Sequence, residues 1–374
     1  MTTPDHQPDK SEDGPVAISS SNLPDFYPEL KQKLTFPLAF TSCDPEQWRR
    51  KTRATAADLM LPDGAAGLPG GTASDVPFAP ALHDSVDRGD FLAQRVAFNV
   101  TAESRITALV LVPKGEGPFP AALLLHDHGS RFDIGKEKGI RPWYDDARLA
   151  ASHDWSDRYF SGLFPGEELA RRGYVVVAID ALGWGDRIGN GYEAQQALAC
   201  NLFNLGSSLA GLVAAEDIRS ARFVRMLPKV DPDRLVAVGF SFGAFRAWQL
   251  AALSDDVKAA VAVCWMATIN GLMVPGNNQL RGQSAWYMTH PGLAKCLDYP
   301  DVAALAAPKP LYFMSGEDDP LFPRQAVQQA YERMQRVWSA FGKSENLRTE
   351  LWPGGHGFTR DRQQAAFDWL AGCF

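Results

Sequence analysis

Two short runs, Val175–Asp180 (VVVAID) and Leu235–Phe240 (LVAVGF), carry no polar residue at alternate positions. A strand with one face in water alternates apolar and polar side chains, so runs of this kind belong to strands buried on both faces. Parallel strands meet that condition, because the crossovers that join them lay helices over the sheet. The stretch between the two runs supplies such a crossover, since Leu209, Leu212, Val213, Ile218, Val224 and Leu227 recur at helical spacing.

Six further apolar runs extend the pattern. Val96–Val100 and Thr107–Val112 read as an antiparallel pair, followed by Ala121–Leu125, Ala259–Cys264, Leu311–Met314 and Thr349–Trp352. The expected fold class is therefore α/β, with a mostly parallel eight-stranded sheet and helices on both faces. At roughly 150 residues per domain, 374 residues would make two to three domains. The strand pattern instead favours one large α/β domain over residues 91–374. Residues 1–20 are rich in Pro, Asp and Ser without apolar periodicity and read as a disordered tail. Residues 21–90 read as an extension wrapping the core, with a helix around Pro45–Met60 and a Gly/Pro-rich loop at 61–80. Two connections, 131–173 and 265–308, are long enough to be insertions, and long ordered loops at the end of a parallel sheet commonly carry function.

The charge balance, 37 basic against 44 acidic residues for a net of −7, argues against nucleic acid or an anionic membrane as partner. The five cysteines are odd in number and widely spaced, with no CxxC pair, which fits a reducing compartment. The start, MTTPDHQPDKSEDGP, has no basic segment leading into an apolar one, and no apolar run reaches the roughly 18 residues of a membrane span. A cytoplasmic protein acting on a small molecule, of unknown oligomeric state, is the expectation.

The chemistry is concentrated in Gly239-Phe240-Ser241-Phe242-Gly243, which follows an apolar strand and precedes the helical run Ala244–Leu253. A serine on so sharp a strand-to-helix turn projects its hydroxyl above the sheet, and the flanking glycines admit neighbouring backbone without a Cβ clash. The helix aims its first N–H groups at the same spot. A serine hydroxyl needs a base to take its proton and a carboxylate to orient that base. Only His290 and His356 follow Ser241 in the chain. His356 lies in the glycine-flanked loop Trp352–Phe358 after the last expected strand, whereas His290 lies in the second insertion. For the acid, the strand Pro310–Met314 runs into a turn fixed by Gly316 and Pro320. Asp319 is preferred there, with Asp318 as the alternative. Two N–H donors are needed for a developing oxyanion, and Phe242 and His128 are the candidates, with Gly129 or Ser130 as alternatives to His128. The cluster His126-Asp127-His128 is not read as a metal site, because adjacent residues on an extended segment point in opposite directions.

The order Ser241, Asp319, His356 resembles that of the α/β-hydrolase superfamily, over roughly residues 91–374. A finer resemblance, to the bacterial dienelactone-hydrolase-like group often labelled acetyl-xylan-esterase-like, rests on HDHG at His126–Gly129 continuing into Arg131–Lys138. It rests also on DALGWGDR at Asp180–Arg187 and VDPDR at Val230–Arg234. The resemblance implies a carboxylic ester hydrolase without cofactor or metal, acting on a small acyl ester of a sugar or similar polyol. Lactone, thioester or peptide hydrolysis would use the same triad, and a non-catalytic ligand-binding member would keep only the pocket. The insertions are aromatic enough to line a ring-binding pocket. Trp143, Trp265, Trp286 and His290 are the candidate substrate contacts, accompanied by Tyr144, Trp155, Tyr159 and Tyr287. Lys136-Glu137-Lys138 reads either as a solvated turn or as an ion pair to Asp186 or Asp133 that fixes the first insertion.

Overall fold

The computed structural model describes residues 27–41, 44–61, 76–189, 191–274 and 283–374. The expected tail, and most of the Gly/Pro-rich stretch 61–80, lie outside the described residues. The strands are β1 (Ala81–Asp87), β2 (Phe91–Asn99), β3 (Arg105–Pro113), β4 (Phe119–Leu125), β5 (Val175–Ile179), β6 (Val230–Phe240), β7 (Ala259–Val263), β8 (Leu311–Gly316) and β9 (Leu347–Trp352). They form one nine-stranded sheet in the order β1-β2-β3-β5-β4-β6-β7-β8-β9. The first four in that order pair antiparallel, and β5 through β9 pair parallel.

The strand beyond the expected eight is β1, which the segment read as a wrapping extension contributes to the sheet edge. Its sequence, ALHDSVD, is largely solvent-exposed along its length, so it lacks the apolar run that marks the central strands. Pairing on one side only with β2, and irregular between Leu82 and Asp84, it is a polar edge strand. The rest of the extension does pack on the core. The helix Pro45–Met60, capped by Asp44 accepting from Gln47 N–H, buries Trp48, Ala56 and Met60. Its Arg53 pairs with Asp255 at 2.8 Å.

Both faces of the parallel strands are buried, as their composition requires. In β6, Leu235 and Ala237 point into one apolar layer and Val236, Val238 and Phe240 into the other. The first layer is covered by helices Leu209–Arg225, Phe242–Leu253 and Arg324–Ala340, the second by Asp146–Tyr159, Pro165–Arg171 and Arg360–Ala371. Val175, Val176 and Val177 of β5 are all fully buried, and burying each stabilises by roughly 1.5–3 kcal/mol. The loops after β4, β5, β6, β8 and β9 emerge at the carboxyl end of this parallel array, the edge at which open α/β sheets place their sites.

Candidate active site

Ser241 terminates β6 with φ +54° and ψ −121°, a conformation that non-glycine residues rarely adopt. The turn closes because Ser241 N–H donates to Val263 O of β7 at 2.8 Å while helix 242–253 starts at once. The glycines on either side are forced by contact. A Cβ on Gly239 would sit 2.0 Å from Gly243 O, and one on Gly243 would sit 1.9 Å from Leu125 O at the end of β4. Phe242 is the first residue of the helix, so its N–H has no intrahelical acceptor.

The loops after β8 and β9 are tied backbone to backbone, Glu317 N–H to Trp352 O at 2.8 Å and Asp318 N–H to Gly354 O at 3.1 Å. Gly316 permits this approach, since a Cβ there would lie 2.4 Å from Gly355 O. The turn thereby aims Asp319 inward and leaves Asp318 exposed. Asp319 Oδ2 lies 2.7 Å from His356 Nδ1, and its Oδ1 accepts from Leu321 N–H at 3.0 Å. The carboxylate is wholly buried while the imidazole keeps 15 % of its side-chain surface. Phe240 packs beside the ring with centroids 4.7 Å apart.

Ser241 and His356 line one cavity of about 140 Å³, together with Asp127, His128, Gly129 and Ser130 from the loop after β4, and Trp155, Tyr159, Met288 and Leu321. The loop after β4 is held from beneath by Lys138. Its buried ammonium donates to Asp127 O at 2.9 Å and His128 O at 3.0 Å, and sits 3.5 Å from Asp127 Oδ2. Trp155 Nε1 donates to the other Asp127 oxygen at 3.1 Å. His128 Nδ1 accepts from Ser130 N–H at 3.2 Å, which puts the ring proton on Nε2. Burial pushes the pKa of His128 down to about 3, so the ring is neutral. His126 is spent on backbone, with Nδ1 against Asp127 O at 2.8 Å and Nε2 accepting from Ala181 N–H at 3.0 Å. It does not converge with His128 on a common point.

The Lys136–Lys138 turn is a buried ion network. Lys136 Nζ lies 2.6 Å from Asp180, 2.8 Å from Asp186 and 3.1 Å from Glu137, and Arg148 bonds both Glu137 and Asp186. The three carboxylates converge closely enough to suggest a cation site, and the lysine ammonium already occupies their centre. This network fastens the insertion 131–173 to the loop after β5.

The four candidate substrate contacts lie away from the Ser241 cavity. Trp143 sits at the sheet edge, donating to Asp84 Oδ1 of β1 at 2.8 Å. Trp265 is buried, 1 % exposed, among Phe245, Tyr299 and Phe322, with Nε1 on Met288 Sδ. Trp286 packs on Phe203, and His290 is buried with Nε2 3.0 Å from Gln249 Oε1. The insertions turn these side chains onto neighbouring elements, β1 for Trp143, Phe245 and Phe322 for Trp265, Phe203 for Trp286 and Gln249 for His290. Trp155 and Tyr159, from the same aromatic set, do face the cavity. Arg362 carries no signal in the sequence, because an arginine on a terminal helix reads as solvated. It is 2 % exposed and donates to Gly355 O, Gly357 O and Pro353 O at 2.6–3.0 Å, fixing the His356 loop.

The family model for the dienelactone hydrolase family matches residues 165–371, more than half of the chain, and spans β5, the Ser241 turn and the loops of Asp319 and His356. The chain belongs to the dienelactone hydrolase family. A Bacillus subtilis (strain 168) protein named "Putative hydrolase YtaP" is 27 % identical over 271 residues, 72 % of this chain and 84 % of that protein. Among solved structures, a "putative acetyl xylan esterase" from Bacteroides fragilis NCTC 9343 superposes with a TM-score of 0.67 at 17 % identity, covering 90 % of this chain and 85 % of that one. A glucuronoyl esterase from Solibacter usitatus gives 0.65 at 13 % identity, covering 91 % and 97 %. At these identities the two structures share the α/β-hydrolase fold. This member of the dienelactone hydrolase family is thus a hydrolase whose loop after β4, with His128 and Lys138, lies ahead of the matched region.

Proposed function

We propose that the protein is a serine carboxylic ester hydrolase working through an acyl-enzyme, with Ser241 as nucleophile, His356 as base and Asp319 as the group that orients and stabilises the imidazolium. The observation that carries this reading is the 2.7 Å contact between His356 Nδ1 and a buried Asp319 carboxylate, in a cavity shared with Ser241. Ser241 Oγ attacks the ester carbonyl as its proton passes to His356 Nε2, and the protonated ring returns that proton to the departing alcohol. The N–H groups of Phe242 and His128 receive the oxyanion, and water releases the acid by the same steps in reverse. A cavity of about 140 Å³ closed by Trp155 and Tyr159 suits a small acyl group such as acetyl, on a sugar or similar polyol. Ser241→Ala should abolish p-nitrophenyl acetate hydrolysis and labelling by a fluorophosphonate without changing the melting temperature. Retention of most activity would sink the assignment.

A further inference from the structure

Helix Gly191–Asn204 turns one stripe inward, and its buried residues are Gln195, Ala199 and Leu202. That spacing calls for an apolar side chain at 195. Gln195 is nevertheless only 4 % exposed, and neither its amide oxygen nor its amide nitrogen has a hydrogen-bond partner among the described residues. An amide buried with both groups unpaired is unfavourable, so a glutamine here asks for something to bind.

Gln195 lines a cavity of about 80 Å³ with Leu182, Gly183, Arg187, Leu198 and Tyr287. Gly183 keeps it open: its φ is +99°, and a Cβ there would lie 2.6 Å from the Tyr287 hydroxyl and 3.5 Å from Gln195 Nε2. The other polar groups are already engaged. Arg187 donates to both oxygens of Glu216 at 2.6 and 2.7 Å, and the Tyr287 hydroxyl donates to Leu182 O at 2.8 Å. The arginine charge is therefore balanced, which disfavours an anion, and Gln195 is left as a neutral group offering both an acceptor and donors. A hydroxyl, itself donor and acceptor, complements it, and the carbon walls of Leu182 and Leu198 suit the C–H edge of a ring that bears hydroxyls.

This cavity neighbours that of Ser241, and the two share no lining residue. The Tyr287 ring lies 5.9 Å from that of His128, which lines the Ser241 cavity, and Met288, next in the chain, lines it too. Tyr192, on the helix of Gln195, stacks on His128 with centroids 6.4 Å apart and hydrogen-bonds to Ser130 Oγ. We infer that the Gln195 cavity is a hydroxyl-recognition subsite, which holds a hydroxyl of a polyol ester while the ester carbonyl lies at Ser241. The inference rests on the esterase reading above.

The test compares wild type with Gln195→Met and Gln195→Leu on p-nitrophenyl acetate, which has no hydroxyl, and on a monoacetylated methyl xyloside, with calorimetric binding of free methyl xyloside. Both variants should keep kcat/KM for the aryl ester within about twofold and lose about tenfold on the xyloside ester, mainly in KM. That is the loss expected for one hydrogen bond. Xyloside binding should weaken alike, and the melting temperature should hold or rise, because the unpaired amide is gone. Equal losses on both esters, or no change on either, would overturn the subsite. A wild type that hydrolyses the aryl ester but neither binds the xyloside nor cleaves its ester would also overturn it, while leaving the esterase reading intact. Gln195-dependent xyloside binding without any ester hydrolysis or phosphonate labelling would overturn the esterase reading and keep the subsite.

Discussion

Asp319→Asn probes the geometry most finely, because the replacement is isosteric and its orientation is dictated by the backbone. Oδ1 of Asp319 accepts from Leu321 N–H at 3.0 Å and Oδ2 faces His356 Nδ1 at 2.7 Å. An asparagine has one oxygen, and an N–H donor can bond nothing else, so the oxygen stays on Leu321 and the amide NH₂ turns to His356. Nδ1 must then accept, the ring proton moves to Nε2, and the nitrogen that should take the serine proton is already protonated. The expected loss is about 10⁴-fold in kcat, the size seen when a triad histidine is held in the wrong tautomer, or roughly 5 kcal/mol of barrier. Both hydrogen bonds survive in altered form, so the melting temperature should change little. The assay is initial rates on p-nitrophenyl acetate with a parallel thermal scan, and Asp318→Asn is the control, since Asp318 is exposed and should matter little. An Asp319→Asn enzyme within tenfold of wild type would refute the tautomer argument.

Lys138→Met should cost about 3–5 kcal/mol of stability, because it leaves the buried Asp127 carboxylate without its cation, bonded by Trp155 alone among side chains, and removes a donor from two loop carbonyls. A urea midpoint equal to wild type would contradict that. His290 is held neutral by burial, which pushes its pKa down to about 3, whereas in the unfolded chain it charges below about 6.5. Its folded pKa is depressed, so the unfolded state binds more protons between those values and stability is lost as pH falls through that window, by up to about 1.4 kcal/mol per pH unit. His290→Gln should flatten the pH dependence of unfolding between pH 6 and 4 by about that slope. An unchanged slope would mean that the ring charges in place.

The central sheet was legible because β5 and β6 lack polar alternation, and the Ser241 turn because two glycines bracket a serine between strand and helix. Contact distances give those glycines their reason, since a Cβ at either would overlap backbone. The choice between Asp318 and Asp319 was open in the sequence because adjacent turn residues are separated only by side-chain direction, which the bonds between the loops after β8 and β9 decide. β1 escaped notice because an edge strand with mostly exposed side chains carries no hydrophobic period. Trp143, Trp265, Trp286 and His290, which do not line the Ser241 cavity, are ambiguous in the sequence for a different reason: an aromatic residue in an insertion satisfies core packing and pocket lining equally well on composition. The sequence offers the Lys136–Asp186 pair only as one of two readings of the Lys136–Lys138 turn, and the burial of Lys136, Lys138 and Arg362 is hidden from it. Their burial depends on carboxylates and carbonyls brought together from distant segments, and the same holds for the unpaired amide of Gln195.

The acyl-enzyme itself is the most direct test of the account. Enzyme mixed with p-nitrophenyl acetate, quenched in acid within a turnover and digested for peptide mass mapping, should carry one acetyl group on Ser241, with none in Ser241→Ala. Slowing its hydrolysis, as in an Asp319→Asn background, should not move the label. Full turnover with no acetyl on any peptide, or with the label on another residue, would contradict it.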